Sequence, residues 1–326
     1  MLSSDDLFTI STKKQFEKIA LKTFRFQYEN NIVYKKFCDY LKTEVTNVKS
    51  LTQIPFLPIQ FFKSHQIVSN TNTFQETFIS SGTTGAITSS HFVTDVTLYE
   101  QSYSQAFNQF YGNIENFVVL ALLPSYLERS GSSLIYMVSD LIKKSQNPES
   151  DFYLNNYDEL ITKLLILDKR GQNVLLIGVT YALLDLIEKQ NFKLKHTIVM
   201  ETGGMKGKRK EMIREELHQI LCDGFGVSTI HSEYGMTELL SQAYSLGDGI
   251  FECPNWMHVL IRDTEDAFSY VANQKTGGIN VIDLANINSC SFIATQDLGK
   301  KYDNQSFEVL GRFDHSDIRG CNLMVL

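Results

Sequence analysis

Four short apolar runs constrain this chain most: FVVLALL at 117–123, NVLLIGV at 173–179, HTIVM at 196–200 and VSTIH at 227–231. Stretches with helical spacing lie between them, among them TLYEQSYSQAFNQFYG, SSLIYMVSDLIKK and KEMIREELHQILCDGFG. An unbroken apolar run of this length suits a strand buried on both faces, and strands alternating with helices imply βαβ units. The order predicts a parallel sheet flanked by helices. After about residue 245 the texture changes to short strands with turn signals, in GDGIFECPNWMHVLIRD, KTGGINVIDLAN, SCSFIATQDLG and QSFEVLGRFD. That part is expected to be antiparallel, barrel-like or at the sheet edge. The class is α/β with a β-rich closing part.

Residues 12–48 carry Phe, Tyr, Leu and Ile at helical spacing among charges and read as one or two amphipathic helices. IPFLPIQFFK at 54–63 holds two of the chain's 5 prolines, which favours an extended segment tucked against the core. The net charge of −7 argues against a nucleic-acid or polybasic membrane surface. FVVLALL is too short to span a bilayer. MLSSDDLFTI lacks the basic-then-apolar order of a signal peptide. The cysteines at 38, 222, 253, 290 and 321 form no CxxC pair. Scattered reduced thiols and no membrane span lead to a cytoplasmic expectation.

Four loops bear chemistry. SSGTTG (Ser80, Ser81, Gly82, Thr83, Thr84, Gly85) sits between two strand-like stretches. It lacks the spacing and the Lys of a Walker loop. Its glycines and hydroxyls suit either a polar hairpin turn or a cradle for phosphate oxygens. SEYGMTE at 232–238 puts Tyr234, Gly235, Met236, Thr237 and Glu238 at a strand end, where open sheets bind ligands. Thr237 can donate to a phosphate oxygen and Glu238 can hold Mg²⁺; capping of a following helix is the other reading. In ETGGMKG, Gly203 and Gly204 permit a flat ring to lie against main chain, or serve as plain turn glycines. In ATQDLG and GRFDHSDIRGCNL, Asp297 and Arg312 suit ribose hydroxyls or a surface ion pair. Lys206, beside the glycine pair, suits either added positive charge or a solvated helix start.

In this order the loops resemble the adenylate-forming superfamily of acyl-CoA ligases and their relatives. That superfamily shows a Ser/Thr/Gly phosphate loop, a glycine-rich adenine loop, YGxTE, a ribose-binding Asp and GRxDD. Here these are Ser80–Gly85, Gly203–Gly204, Tyr234–Glu238, Asp297 and Gly311–Asp314. Within the superfamily the chain is most similar to the LuxE-type acyl-protein synthetases. The likeness extends through IPFLPIQFFK, LPSYLERSGSSLIYMV, ETGGMKG, SEYGMTELLSQAY and DIRGCNL, nearly the whole length.

The resemblance implies an ATP-dependent acid–thiol ligase. A fatty carboxylate attacks the α-phosphorus of ATP to give acyl-AMP, and a protein cysteine then takes the acyl group. ATP and Mg²⁺ are the implied cofactors: Ser80–Gly85 on the β- and γ-phosphates, Thr237 on the α-phosphate, Glu238 on Mg²⁺. Gly203, Gly204 and Tyr234–Thr237 would line the nucleotide, with Asp297 and Arg312 on the ribose. Cys321 matches the acyl-carrying cysteine near the family's C-terminus. The implied partners are the acid and an acyl-acceptor or acyl-reductase protein. Transfer to coenzyme A or a carrier, or a non-catalytic nucleotide- or acyl-binding subunit, are the competing expectations. Two features depart from the superfamily pattern. AITSSH follows the phosphate loop where a Lys is usual. The chain also stops at Leu326, where the usual enzyme continues with a mobile domain of roughly a hundred residues. The expected division is a helical segment and linker over 1–73, the α/β core over 74–310, and a short tail over 311–326 replacing the mobile domain.

Overall fold

The computed structural model describes residues 4–70, 73–81, 87–124, 131–204, 208–210 and 212–313. Helices α1 (Ser4–Phe8), α2 (Lys13–Asn30) and α3 (Ile32–Tyr40) open the chain. A capping box of Thr12 and Gln15 starts α2. The long helical pattern is divided at Asn31, whose backbone turns extended while its side chain accepts from Tyr34 N at 2.9 Å and caps α3. Gln27, buried on α2, donates to Asn286 O and Ile287 O and accepts from Ser291 N, fastening the opening helices to the far end of the chain. In the proline segment, β1 (Leu57–Pro58) is extended and pairs with a late strand; Ile59–Lys63 then coils into a 3₁₀ turn. The extended reading thus holds for two residues, because the chain must turn once Leu57 is buried.

Strands β2 (Glu76–Ile79) and β3 (Ser90–Val93) form a separate antiparallel pair around the SSGTTG segment. The alternating region follows: α4 (Val96–Tyr111), β4 (Val118–Leu122), α5 (Ser133–Lys144), β5 (Asp151–Tyr153), α6 (Tyr157–Lys169), β6 (Val174–Val179), α7 (Thr180–Lys189), β7 (Thr197–Thr202), α8 (Arg214–Phe225) and β8 (His231–Tyr234). The closing part adds β9 (Ala243–Ser245), β10 (Ile250–Glu252), β11 (Met257–Arg262), β12 (Gly277–Asp283), β13 (Phe292–Lys301) and β14 (Phe307–Arg312).

One large sheet runs β11-β12-β13-β14-β10-β9-β8-β7-β6-β4-β5, with β1 beside β13. From β8 to β5 the strands are parallel; from β8 to β11 each pair is antiparallel. Every residue of β4 and β6 is buried, as two covered faces require, whereas β11 alternates buried and half-buried. Truncating a core residue such as Leu176 to Ala would cost about 2–5 kcal/mol. Among the described residues no helix is long and apolar enough to cross a membrane.

Candidate active site

The carboxyl end of β8, beside that of β7, meets the middle of β13 through Tyr234. Tyr234 closes β8, so Ser232–Tyr234 belong to the strand and the loop begins at Gly235. The Tyr234 hydroxyl donates to Asp297 Oδ2 at 2.8 Å. Asp297 stands opposite Arg312 in the β13–β14 ladder, and Arg312 Nε lies 3.3 Å from Asp297 Oδ1. Asp297 is 7% exposed, while the Arg312 side chain is 81% exposed. One carboxylate is therefore held from inside by a tyrosine and met from outside by an accessible guanidinium. Behind it, Asp297 N donates to Thr295 Oγ1, and Arg262 donates to the Thr295 carbonyl while its guanidinium lies over the Phe313 ring.

The loop after Tyr234 runs to β9, not to a helix, so Thr237 and Glu238 cap no helix and that reading of them falls away. Three buried side chains clamp this loop. His91 Nδ1 donates to Thr237 O at 2.8 Å, with its Nε2 3.0 Å from Asn286 Oδ1. Asn286 Nδ2 donates to Glu238 O at 2.8 Å. Asp283 accepts from Leu240 N, Ser241 N and the Ser241 hydroxyl. Burial pulls the His91 imidazole down to about 4 and pushes the Glu238 carboxyl above the usual range, opposed by the Ser89 hydroxyl and Arg312. Ser89 also closes the stem of the SSGTTG segment: its N–H donates to Ser80 Oγ at 2.8 Å and its carbonyl accepts from Ser80 N. Ser81 is exposed. Sequence reasoning missed His91, Asn286, Asp283 and Ser89.

Gly203 and Gly204 follow β7, next to β8 in the sheet. Gly203 has φ +82, a left-handed conformation that favours glycine, and a side chain at Gly204 would meet open space among the described residues. Beneath them Glu201 accepts from Arg214 Nη1 at 2.7 Å and from the Ser232 and Thr180 hydroxyls at 2.8 Å each. Burial pushes the Glu201 carboxyl up, but His218, Arg214 and Thr180 more than offset this and hold it at about 2. Met236 packs partly buried against the core. Gly82, Thr83, Thr84, Gly85, Lys206, Asp314 and Cys321 lie outside the described residues.

The sheet and its helices have the fold of the adenylate-forming enzymes. The chain is similar to ATP-bound MatB from Rhodopseudomonas palustris, at 17% identity over 72% of this chain and 47% of that one, TM-score 0.53. It is also similar to 2-hydroxyisobutyryl-CoA ligase in an open conformation with 2-HIB-AMP and CoA, at 11% identity over 93% and 70%, TM-score 0.65. A third likeness is to the luciferase-like enzyme of the nonluminescent Zophobas morio mealworm, at 13% identity over 76% and 60%, TM-score 0.51. The chain thus spans about half the length of MatB. No curated protein matches its sequence. The acyl-protein synthetase (LuxE) family model matches residues 1–326, and the chain belongs to that family.

Among the described residues no cluster of three or more His, Cys, Asp or Glu could hold a metal ion by itself. The buried Glu238 carboxylate would suit a Mg²⁺ that keeps most of its waters and arrives on substrate phosphates.

Proposed function

We propose that the protein activates a carboxylic acid, with a long-chain fatty acid as the reading, by joining it to AMP, and then passes the acyl group to a cysteine thiol. The convergence of Tyr234, Asp297 and Arg312 carries this reading. A carboxylate backed by a buried phenol and flanked by an exposed guanidinium suits a ribose diol. The acid's carboxylate oxygen attacks the α-phosphorus and pyrophosphate leaves; a thiolate then attacks the acyl carbon and AMP leaves. Catalysis of the first step is positioning and charge stabilisation. Thr237 would donate to the α-phosphate, Glu238 would hold Mg²⁺, and Gly203 and Gly204 would lie against the adenine. The metal, when bound, supplies charge neutralisation at the phosphates.

The expected boundary at 310 cuts β14 (Phe307–Arg312), so the core that would carry this chemistry runs from 74 through Arg312. Residues 1–73 would brace it through Gln27 and β1, and the remainder of 311–326 would serve as the acyl-relay tail. The described cysteines Cys38, Cys222, Cys253 and Cys290 are free thiols, in keeping with a cytoplasmic location beside an acyl-acceptor or acyl-reductase partner. The test is acid-dependent exchange of labelled pyrophosphate into ATP over a panel of acids. Exchange that needs both acid and Mg²⁺ supports the reading; ATP binding without exchange for any acid replaces it with a nucleotide-binding subunit.

A further inference from the structure

Side chains alternate across a strand, so β8 sorts its neighbours onto two faces. Tyr234 reaches Asp297 on one face. Glu233 and Gly235 belong to the other, the face of Thr202 in β7 and of Gln242 and Tyr244 beside β9. Thr202 Oγ1 donates to Glu233 Oε2 at 2.5 Å. Among the described residues no donor reaches Glu233 Oε1 and no basic side chain pairs with it. Gln242 is 3% exposed, and its buried Oε1 has no hydrogen-bond partner. A Cβ on Gly235 would overlap Glu233 Oε1 and come within 3.2 Å of Gln242 Cγ, so only glycine lets the Glu233 carboxylate and the Gln242 side chain lie together here. Tyr99, Tyr111 and Tyr244 lie within electrostatic reach of Glu233, and burial pushes its carboxyl up to about 7.

Buried polar atoms are rarely left unpaired; Gln242 Oε1 is such an atom, and both it and Oε1 of the half-buried Glu233 are acceptors. A plain alkyl chain would offer them no donor. We propose that Glu233, Gln242 and Thr202 form a polar subsite for a hydrogen-bond-donating group, hydroxyl or ammonium, carried by the acid near its carboxyl end. The location follows from Gly235, two residues before Thr237, and from the strand's division of faces: the ribose candidates hold one, leaving this one to the acid. The proposal rests on the acid-activating reading and names the substrate class within it.

The test compares decanoate with its 2- and 3-hydroxy and its 2- and 3-amino derivatives in ATP–pyrophosphate exchange, with binding of each acid followed by calorimetry. At least one donor-bearing acid is expected to exceed decanoate by about tenfold or more in kcat/KM, since a site built to bond a donor rejects the analogue lacking it. The hydroxy and amino arms distinguish the two donors. In Gln242→Leu and Glu233→Leu that ratio should collapse toward one, whatever the absolute rates. Decanoate exchanging as well as every derivative overturns the subsite while leaving acid activation intact. If no acid supports exchange, the activation reading fails, and the calorimetry decides the subsite: preferential binding of a donor-bearing acid upholds it, and equal or absent binding overturns it.

Discussion

His91 reaches across 146 residues of sequence to donate its Nδ1 hydrogen to the Thr237 carbonyl. The contact ties the strand that follows the SSGTTG segment to the loop bearing Thr237 and Glu238, so these two elements are fixed to each other. His91→Phe keeps a ring and leaves that buried carbonyl unpaired, a loss of about 1–3 kcal/mol. Chemical denaturation should register it, with a fall in acid-dependent exchange larger than the lost folded fraction accounts for. A fall that matches the folded fraction makes His91 a stabilising residue only.

Tyr234→Phe removes one donor from Asp297 and preserves the ring that packs on Phe251 and Phe307. If Asp297 meets ribose, KM for ATP should rise about three- to tenfold, the worth of one such bond, with kcat less affected. An unchanged KM for ATP across the exchange assay removes Asp297 from the nucleotide site.

Glu238→Gln keeps size and removes the charge Mg²⁺ needs. Adenylation is expected to collapse and nucleotide binding to become nearly independent of magnesium. Calorimetric titration of ATP with and without Mg²⁺ reads this directly, and a normal magnesium requirement in the variant assigns the metal elsewhere.

The parallel half of the fold was legible because strands covered on both faces, such as Val118–Leu122 and Val174–Val179, must be apolar throughout. Tyr234 to Glu238 and Asp297 with Arg312 were legible as short motifs. His91, Asn286 and Asp283 were not. Each is a lone polar residue with no local pattern, and its partners lie tens to more than a hundred residues away. The helix-cap reading of Thr237 and Glu238 failed for a related reason: the turn to β9 is held by His91, Asn286 and Asp283, which lie far from it in sequence. Gln242 likewise declares itself through what it lacks, which only the packed structure reveals.

Glu201 makes folding pH-dependent in a defined direction. Its carboxyl is held at about 2 when folded, below the roughly 4.3 of an unfolded chain. A depressed folded value gives stability that is complete above the unfolded value and lost as pH falls toward 2. The amount is on the order of 2–3 kcal/mol. Urea denaturation between pH 5 and 2.5 should show a shallower decline for Glu201→Gln than for the native protein. At pH 7 the variant should be less stable, because Arg214 and Ser232 lose their partner. Parallel curves would assign the acid sensitivity to other groups.

Cys321 is the expected acyl carrier, and the other thiols sharpen that expectation. Thiolate is the nucleophile, and burial pushes Cys38 and Cys253 up to about 12 and raises Cys222 and Cys290 as well. Four of the five cysteines are thus poor acceptors for an acyl adenylate. The protein should be incubated with ATP, Mg²⁺ and a radiolabelled acid that supports exchange, then denatured and treated with neutral hydroxylamine. Label released by hydroxylamine marks a thioester. In Cys321→Ser the label should vanish while pyrophosphate exchange persists, because the first half-reaction needs no thiol. Label that survives in Cys321→Ser moves the acyl group to another residue. Robust exchange with no label in the native protein replaces the covalent relay with direct transfer to coenzyme A or a carrier protein.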